Sequence, residues 1–349
     1  MRKKVTMQQI ADTAGVSKFA VSRALTGKSG VSEQTRDKII RTAGQLGYFK
    51  NGTGGAARAV VSDEEKDREM NPDWQRQTGT ILVLFPNIRH QNMDSLYWGP
   101  VFEGISARLN EKGLDILTLT EPSSDKVFSL LNPEAIQGII TVGAVSPSLL
   151  LEFQRLQIPV VMVDHSDSAF HCDTVFSDNI SLMREMMNQL IAIGYRKFQF
   201  AGNIYDAPSF LERWTAFRMM LDEHNIPLEQ NTKLFHEDIV GLKEAVSEIP
   251  KSQLPEVFVC VNDSTARFVL EQLTNQNVSV PDDCTVTGFD NVMVDLPILA
   301  TVDVNKSLLG RRAVDQLLWR VEHPSSPAER LLIHAEMIFR DTYMTPKRG

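Results

Sequence analysis

A chain of 349 residues with 42% hydrophobic and 23% charged residues carries enough apolar mass for two or three compact units, which excludes disorder throughout. Its net charge of -8 is unevenly spread: residues 1 to 60 hold eleven Lys or Arg against three Asp or Glu, a balance of +8, so the rest of the chain carries -16. A basic head on an acidic body fits a chain that meets phosphate with one surface only. Three widely spaced cysteines, Cys172, Cys260 and Cys284, argue for a reducing compartment, and the cytoplasm is the expected location. No apolar h-region follows Met1–Lys4 and no apolar run is long enough to span a bilayer, so neither a secretory signal nor a membrane segment is expected.

From the N-terminus, Thr6 followed by Gln9 has the form of a capping box, with Ile10 and Ala14 as the apolar stripe of a first helix that Gly15 ends. Ser17 can cap a second short helix that turns Ala20, Val21, Ala24 and Leu25 inward. Ser32 can cap a third, with Ile39, Ile40, Ala43 and Leu46 on one face and Gly47 near its end. Three short helices with a tight first turn predict a helix-turn-helix unit. Residues 62 to 77, SDEEKDREMNPDWQRQ, hold six acids and three bases with almost no apolar periodicity and read as a charged linker, set at 61–78.

Beyond Gly79, short β-rich runs (Ile81–Phe85, Ile116–Leu119, Gly138–Val142, Val160–Val163, Phe198–Ala201, Val257–Val261, Val286–Phe289) alternate with stripes at helical spacing such as Phe102, Ile105 and Leu109, or Trp214, Phe217 and Leu221. Such alternation implies buried parallel sheets covered by helices on both faces. The length of this region favours two lobes over one oversized sheet.

In a helix-turn-helix the second helix must offer polar or planar groups to base edges while its other face packs on the first. Lys18, Phe19, Ser22 and Arg23 fall on the side left free by Val21, Ala24 and Leu25. Arg23 can read guanine bidentately, Lys18 can reach guanine or phosphate, and Phe19 can lie against a thymine methyl. Thr6, Ser17, Ser22 and Thr35 sit at or near helix N-termini, which favour phosphate. The same residues are also compatible with solvated positions on a small helical bundle.

Residues 5 to 48 combine V-T-x-x-x-I-A, A-G-V-S, V-S-R-A-L, V-S-x-x-T-R and L-G-Y in order, and with them the chain resembles the DNA-binding domain of the LacI/GalR family of bacterial transcription regulators. The resemblance implies that Lys18 and Phe19 choose the operator sequence and that Arg23 makes the family's shared base contact. Gln8, Tyr48 and Asn51 complete the DNA contacts it implies. It departs after Tyr48, where the family's Pro-Asn pair and hinge helix give way to Phe49-Lys50-Asn51-Gly52-Thr53-Gly54-Gly55-Ala56-Ala57-Arg58-Ala59-Val60. Val60 then stands where the family's minor-groove leucine would be, a shorter wedge on a degenerate, glycine-rich hinge.

The resemblance continues to about Thr345 and implies a periplasmic-binding-protein-like effector domain of two doubly wound parallel-sheet lobes. The expected lobes are 79–177 with 291–322 and 178–290 with 323–345, and the expected crossovers lie near Ser177–Asn179, Phe289–Asn291 and His323–Pro327. Ligands of open parallel sheets sit beyond strand C-termini, where Asp164, Asn262, Asp263 and Asp290 each follow an apolar run. The resemblance singles out Arg213 and Asp290 as effector contacts, then Asp164 and Asn262, with Asp263 and Asp178 read as helix caps. Tyr97 and Trp98 can stack on a sugar-like ring or serve as core. A sugar, amino sugar or sugar phosphate is the implied effector, with no further cofactor and no metal. His165, His171 and His236 are too scattered for a ligand set.

The expected partners are therefore operator DNA, a small carbohydrate-like effector and a second copy of the chain, because palindromic sites mirror two-fold protein symmetry. A doubly wound enzyme and a plain sugar-binding protein are the alternatives. The first lacks any nucleotide-loop, nucleophile-elbow or metal motif, and the second has no use for residues 5 to 48.

Overall fold

The computed structural model describes residues 5–26, 28, 30–46, 48, 79–85, 95–120 and 133–343. Asn51, Val60 and the 61–78 linker lie outside the described residues. Three helices open the chain: α1 (Met7–Ala14), α2 (Lys18–Leu25) and α3 (Glu33–Gln45). Each begins on a hydroxyl that takes an otherwise orphaned backbone N–H: Thr6 from Gln9, Ser17 from Ala20, Ser32 from Thr35. The Thr6–Gln9 pair closes a reciprocal capping box, and Gly15 ends α1 in the left-handed region at φ 68. Ile10, Ala11, Ala14, Val21, Ala24, Ile39, Ala43 and Tyr48 form one small core between the helices.

The remainder alternates strand and helix: β1 (Thr80–Leu84), α4 (Trp98–Lys112), β2 (Asp115–Leu119), β3 (Ile136–Val142), α5 (Pro147–Leu156), β4 (Val160–Val163), β5 (Asp173–Ser177), α6 (Asn179–Ile193), β6 (Phe198–Ala201), α7 (Pro208–Glu223), α8 (Ile239–Ser247), β7 (Val257–Cys260), α9 (Asp263–Asn275), β8 (Thr285–Thr287), β9 (Ala300–Asp303), α10 (Lys306–Glu322), β10 (Arg330–Ile333) and β11 (Glu336–Phe339). They make a six-stranded sheet in the order β10-β5-β4-β3-β1-β2 and a five-stranded sheet in the order β11-β9-β8-β7-β6. Apart from β11, which runs antiparallel to β9, the registered pairs of both sheets are parallel. Central strands such as β4 and β7 are buried at every position, as expected where helices cover both faces.

Two compact units result, one of Met1–Asn92, Ile105–Thr174 and Arg311–Glu329, the other of Met93–Gly104, Val175–Gly310 and Arg330–Gly349. In the first, Glu111 bridges Arg311 and Arg108, and Arg108 and Arg312 share Asp315; the two arginines hold the Glu111 carboxyl down to about 2. Asp173, fully buried, takes a bidentate pair from Arg320.

The segments expected as 291–322 and 323–345 both divide differently. Buried Ile298, Leu299 and Ala300 carry β9 into the second sheet beside β8, so the chain returns to the first unit only after Gly310 and not near Asn291. β10 then hydrogen-bonds into the first sheet and β11 into the second. Among the described residues no helix is long and apolar enough to cross a membrane.

Candidate functional site

Two groups of side chains are candidates. On the head, α2 leaves Lys18 and Phe19 outward, Phe19 being 69% exposed, while Val21 and Ala24 face the core. The Arg23 guanidinium stands 5.3 Å from the Phe19 ring centroid, so the base-reading candidates share one patch. Thr6, Gln8, Ser17 and the half-buried Ser22 lie on α1 and α2 or at their N-termini, Gln8 donating to Asp12. Thr35 is on α3, its backbone N–H given to Ser32. Tyr48 packs into the head core at 8% exposure, so its ring is structural whatever its hydroxyl meets.

In the second unit the candidates point inward and bond to one another. Arg213, on the buried face of α7 with Ser209, Ala216 and Met220, is 1% exposed. Its Nε donates to Asn179 Oδ1 at 3.0 Å, one terminal nitrogen to the Val261 carbonyl at 2.6 Å and the other to Asp290 Oδ1 at 2.9 Å. Its Cζ lies 3.7 Å from the Phe289 ring centroid, a cation–π contact. Asn179 passes the chain of bonds on to Glu212, which pairs with Arg330.

Asp290 and Asn291 follow Phe289 at φ 92 and 46, left-handed conformations that cost non-glycine residues energy unless held. Buried Lys306 holds this one: its Nζ donates to the Asp290 carbonyl at 2.5 Å and to Val304 at 3.1 Å, and burial pulls its pKa below the usual lysine value. Lys306 was not anticipated. It opens α10 with no periodic or motif signal, and its partner lies sixteen positions upstream.

The helix cap expected of Asp263 falls to its neighbour Asn262. Asn262 Oδ1 caps α9 by accepting from Thr265, whereas Asp263 is fully buried and accepts from the Thr301 hydroxyl at 2.7 Å and from the Val292 and Met293 N–H groups. It ties down the loop after Asp290, and burial pushes its carboxyl up to about 6. Asp178 caps α6 as expected. Tyr97 and Trp98 meet edge to face at 4.7 Å, and Lys306 Nζ lies 6.0 Å from the Tyr97 centroid. Asp164 belongs to the first unit, buried at the end of β4 with φ 52. Thus Arg213 and Asp290 meet directly, Asn262 stands at the strand end whose Val261 carbonyl Arg213 takes, and Asp164 is in the other unit. Among the described residues no cluster of His, Cys, Asp and Glu could hold a metal ion.

Residues 6–51 match the family model of bacterial regulatory proteins, lacI family, and residues 187–343 that of the periplasmic binding protein-like domain. The HTH-type transcriptional regulator GalR of Lacticaseibacillus casei is 25% identical over 351 residues, spanning 96% of this chain and 98% of its own. Among solved structures, the transcriptional regulator CelR in complex with cellobiose superposes with a TM-score of 0.67 at 20% identity, covering 97% of this chain and 99% of that one. The lac repressor dimer bound to operator and the anti-inducer ONPF gives 0.63 at 20% identity over 98% and 100%. At such identities the two structures speak for a shared fold.

Proposed function

Because the chain belongs to the LacI/GalR family of bacterial DNA-binding transcription regulators, we propose that it binds a near-palindromic operator as a homodimer through α2, under the control of a small carbohydrate-like effector. In this reading Lys18 and Phe19 select the operator sequence, Arg23 makes the base contact common to all sites, and the hydroxyls of Thr6, Ser17, Ser22 and Thr35 with Gln8 and Asn51 fix the backbone register. The observation that carries it is Phe19: a large aromatic ring left 69% exposed on an otherwise packed head, beside a lysine and an arginine, matches a thymine methyl flanked by acceptors and phosphate.

Effector control is assigned to the Arg213–Asp290 pair, with Asn262, Tyr97 and Trp98 of the same unit completing the site and a sugar, amino sugar or sugar phosphate as ligand; Asp164 is a further candidate contact carried by the first unit. Buried polar groups already oriented by protein partners can accept a ligand hydroxyl without reorganising. Val60 is the proposed wedge of the degenerate hinge, and an unbent operator in a circular-permutation gel would remove that element.

The test is selection of operator from random duplex DNA by the purified protein. A two-fold symmetric site, weakened steeply by salt and lost in Arg23→Ala, is expected. A site without symmetry, or one indifferent to Arg23→Ala, would overturn the assignment. Thermal shifts with a panel of neutral, amino and phosphorylated sugars then test the effector class, and a response that survives Arg213→Gln would move the site elsewhere.

A further inference from the structure

The segment joining head to body contains Gly52, Gly54 and Gly55. The first unit offers another means of holding the head. On α3 the residues Asp37, Ile40, Arg41 and Gly44 fall at i, i+3, i+4 and i+7, a stripe separate from the Ile39 and Ala43 side that fills the head core. Ile40 is 3% exposed yet takes no part in that core. It shares a small apolar pocket with Pro147, Leu150 and Leu151 of α5 and with Ala169 and Phe170 of the loop after β4.

One turn further, Gly44 is buried so closely that a Cβ built on it would run into the Cα and Cβ of Ala169. Polar groups border the contact: the Ser148 hydroxyl donates to Asp37 at 3.4 Å, and Arg155, paired with Glu152, donates to the Leu25 carbonyl at the end of α2 at 3.2 Å. That last bond satisfies a helix C-terminus with a cation, the favoured polarity. Lys18 and Phe19 stay exposed throughout.

We propose that α5 and the 167–170 loop form a docking surface for the chain's own head, and that this docking, more than the glycine-rich tether, sets where the reading helix stands and hence the spacing between operator half-sites. The proposal rests on the reading of α2 as the DNA-reading helix. A freely tethered pair of heads accepts a range of spacings, whereas two docked heads accept one.

The full-length protein tests it with Gly44→Leu, which blocks the close approach while removing a poor helix former from α3, and with Ile40→Lys, which spares the head core. Amide hydrogen exchange in residues 165–170 is expected to quicken at least about tenfold in both variants. On the selected operator and on versions with one to three base pairs inserted at its centre, the parent chain should lose about tenfold or more in affinity on the first insertion. The variants should stay within about threefold across the series. Unchanged exchange in both variants means that the head does not dock. Faster exchange with an unchanged spacing profile means that docking does not set spacing, and either result overturns the proposal. If the parent chain selects no symmetric operator, the reading of α2 falls and the spacing claim with it, while the exchange data still decide whether the head docks.

Discussion

The head and the second unit place their key polar residues in opposite ways. In the head, Lys18 and Phe19 project into solvent from a short helix whose N-cap, Ser17, reaches only to Ala20. In the second unit, Arg213 is buried, and its partners Asn179, Val261 and Asp290 come from 34, 48 and 77 positions away. An exposed reader is free to change with its operator without disturbing the fold. A buried network makes recognition and stability the same bonds, so altering one alters the other.

The largest test of that contrast is Arg213→Leu. It strands Asp290, Asn179 and the Val261 carbonyl in the interior and should cost about 3–5 kcal/mol, read as a fall in the denaturant midpoint of the effector domain; a parent-like midpoint would break the comparison. Next comes pH. The Asp263 carboxyl, raised by burial to about 6, binds its proton more tightly folded than unfolded. It therefore adds stability that is fully present below about pH 4, near the unfolded value, and is lost as pH rises through about 6. The difference is roughly 3 kcal/mol. In Asp263→Asn, urea titrations across that interval should lack this share of the slope, and an identical slope would show that the carboxyl does not titrate there.

On the head the order reverses. Arg23→Ala should weaken operator binding by about 1–3 kcal/mol while the melting curve moves by less than about 0.5 kcal/mol; a large loss of stability would mean that the arginine is structural. The smallest effect expected is Ser17→Ala, about 1 kcal/mol from the lost cap of α2, seen in the thermal melt of the head and with base preference unchanged.

The same contrast explains what the sequence could disclose. The Thr6–Gln9 box, the caps at Ser17 and Ser32 and the stop at Gly15 are legible because both partners of each interaction lie within a few residues. Strands β1 to β4 and β6 to β8 announce themselves as apolar runs. Strands β5, β10 and β11 do not: Asp173–Ser177 is half polar, and Arg330–Ile333 and Glu336–Phe339 are only partly covered. Missing them and β9 displaced the expected lobe boundaries. At Asn262-Asp263 two neighbouring residues are both good caps, and only the fold decides that Asn262 caps while Asp263 turns inward to Thr301. Lys306 and Asn179 were invisible for the same reason, since their meaning lies in partners met through tertiary packing.

Gly44 has a consequence for how freely this protein's parts can be exchanged. A glycine near the end of α3 gives up about 1 kcal/mol of helix stability relative to alanine, and what it gains is clearance for Ala169. Most side chains at that position would suit an isolated head better and this body worse. A head transplanted from a relative onto this effector domain would therefore keep its own base preference but need glycine at the equivalent position to sit as the native one does. Modular exchange of DNA specificity in this chain is thus limited by a residue on the face of α3 that meets Ala169.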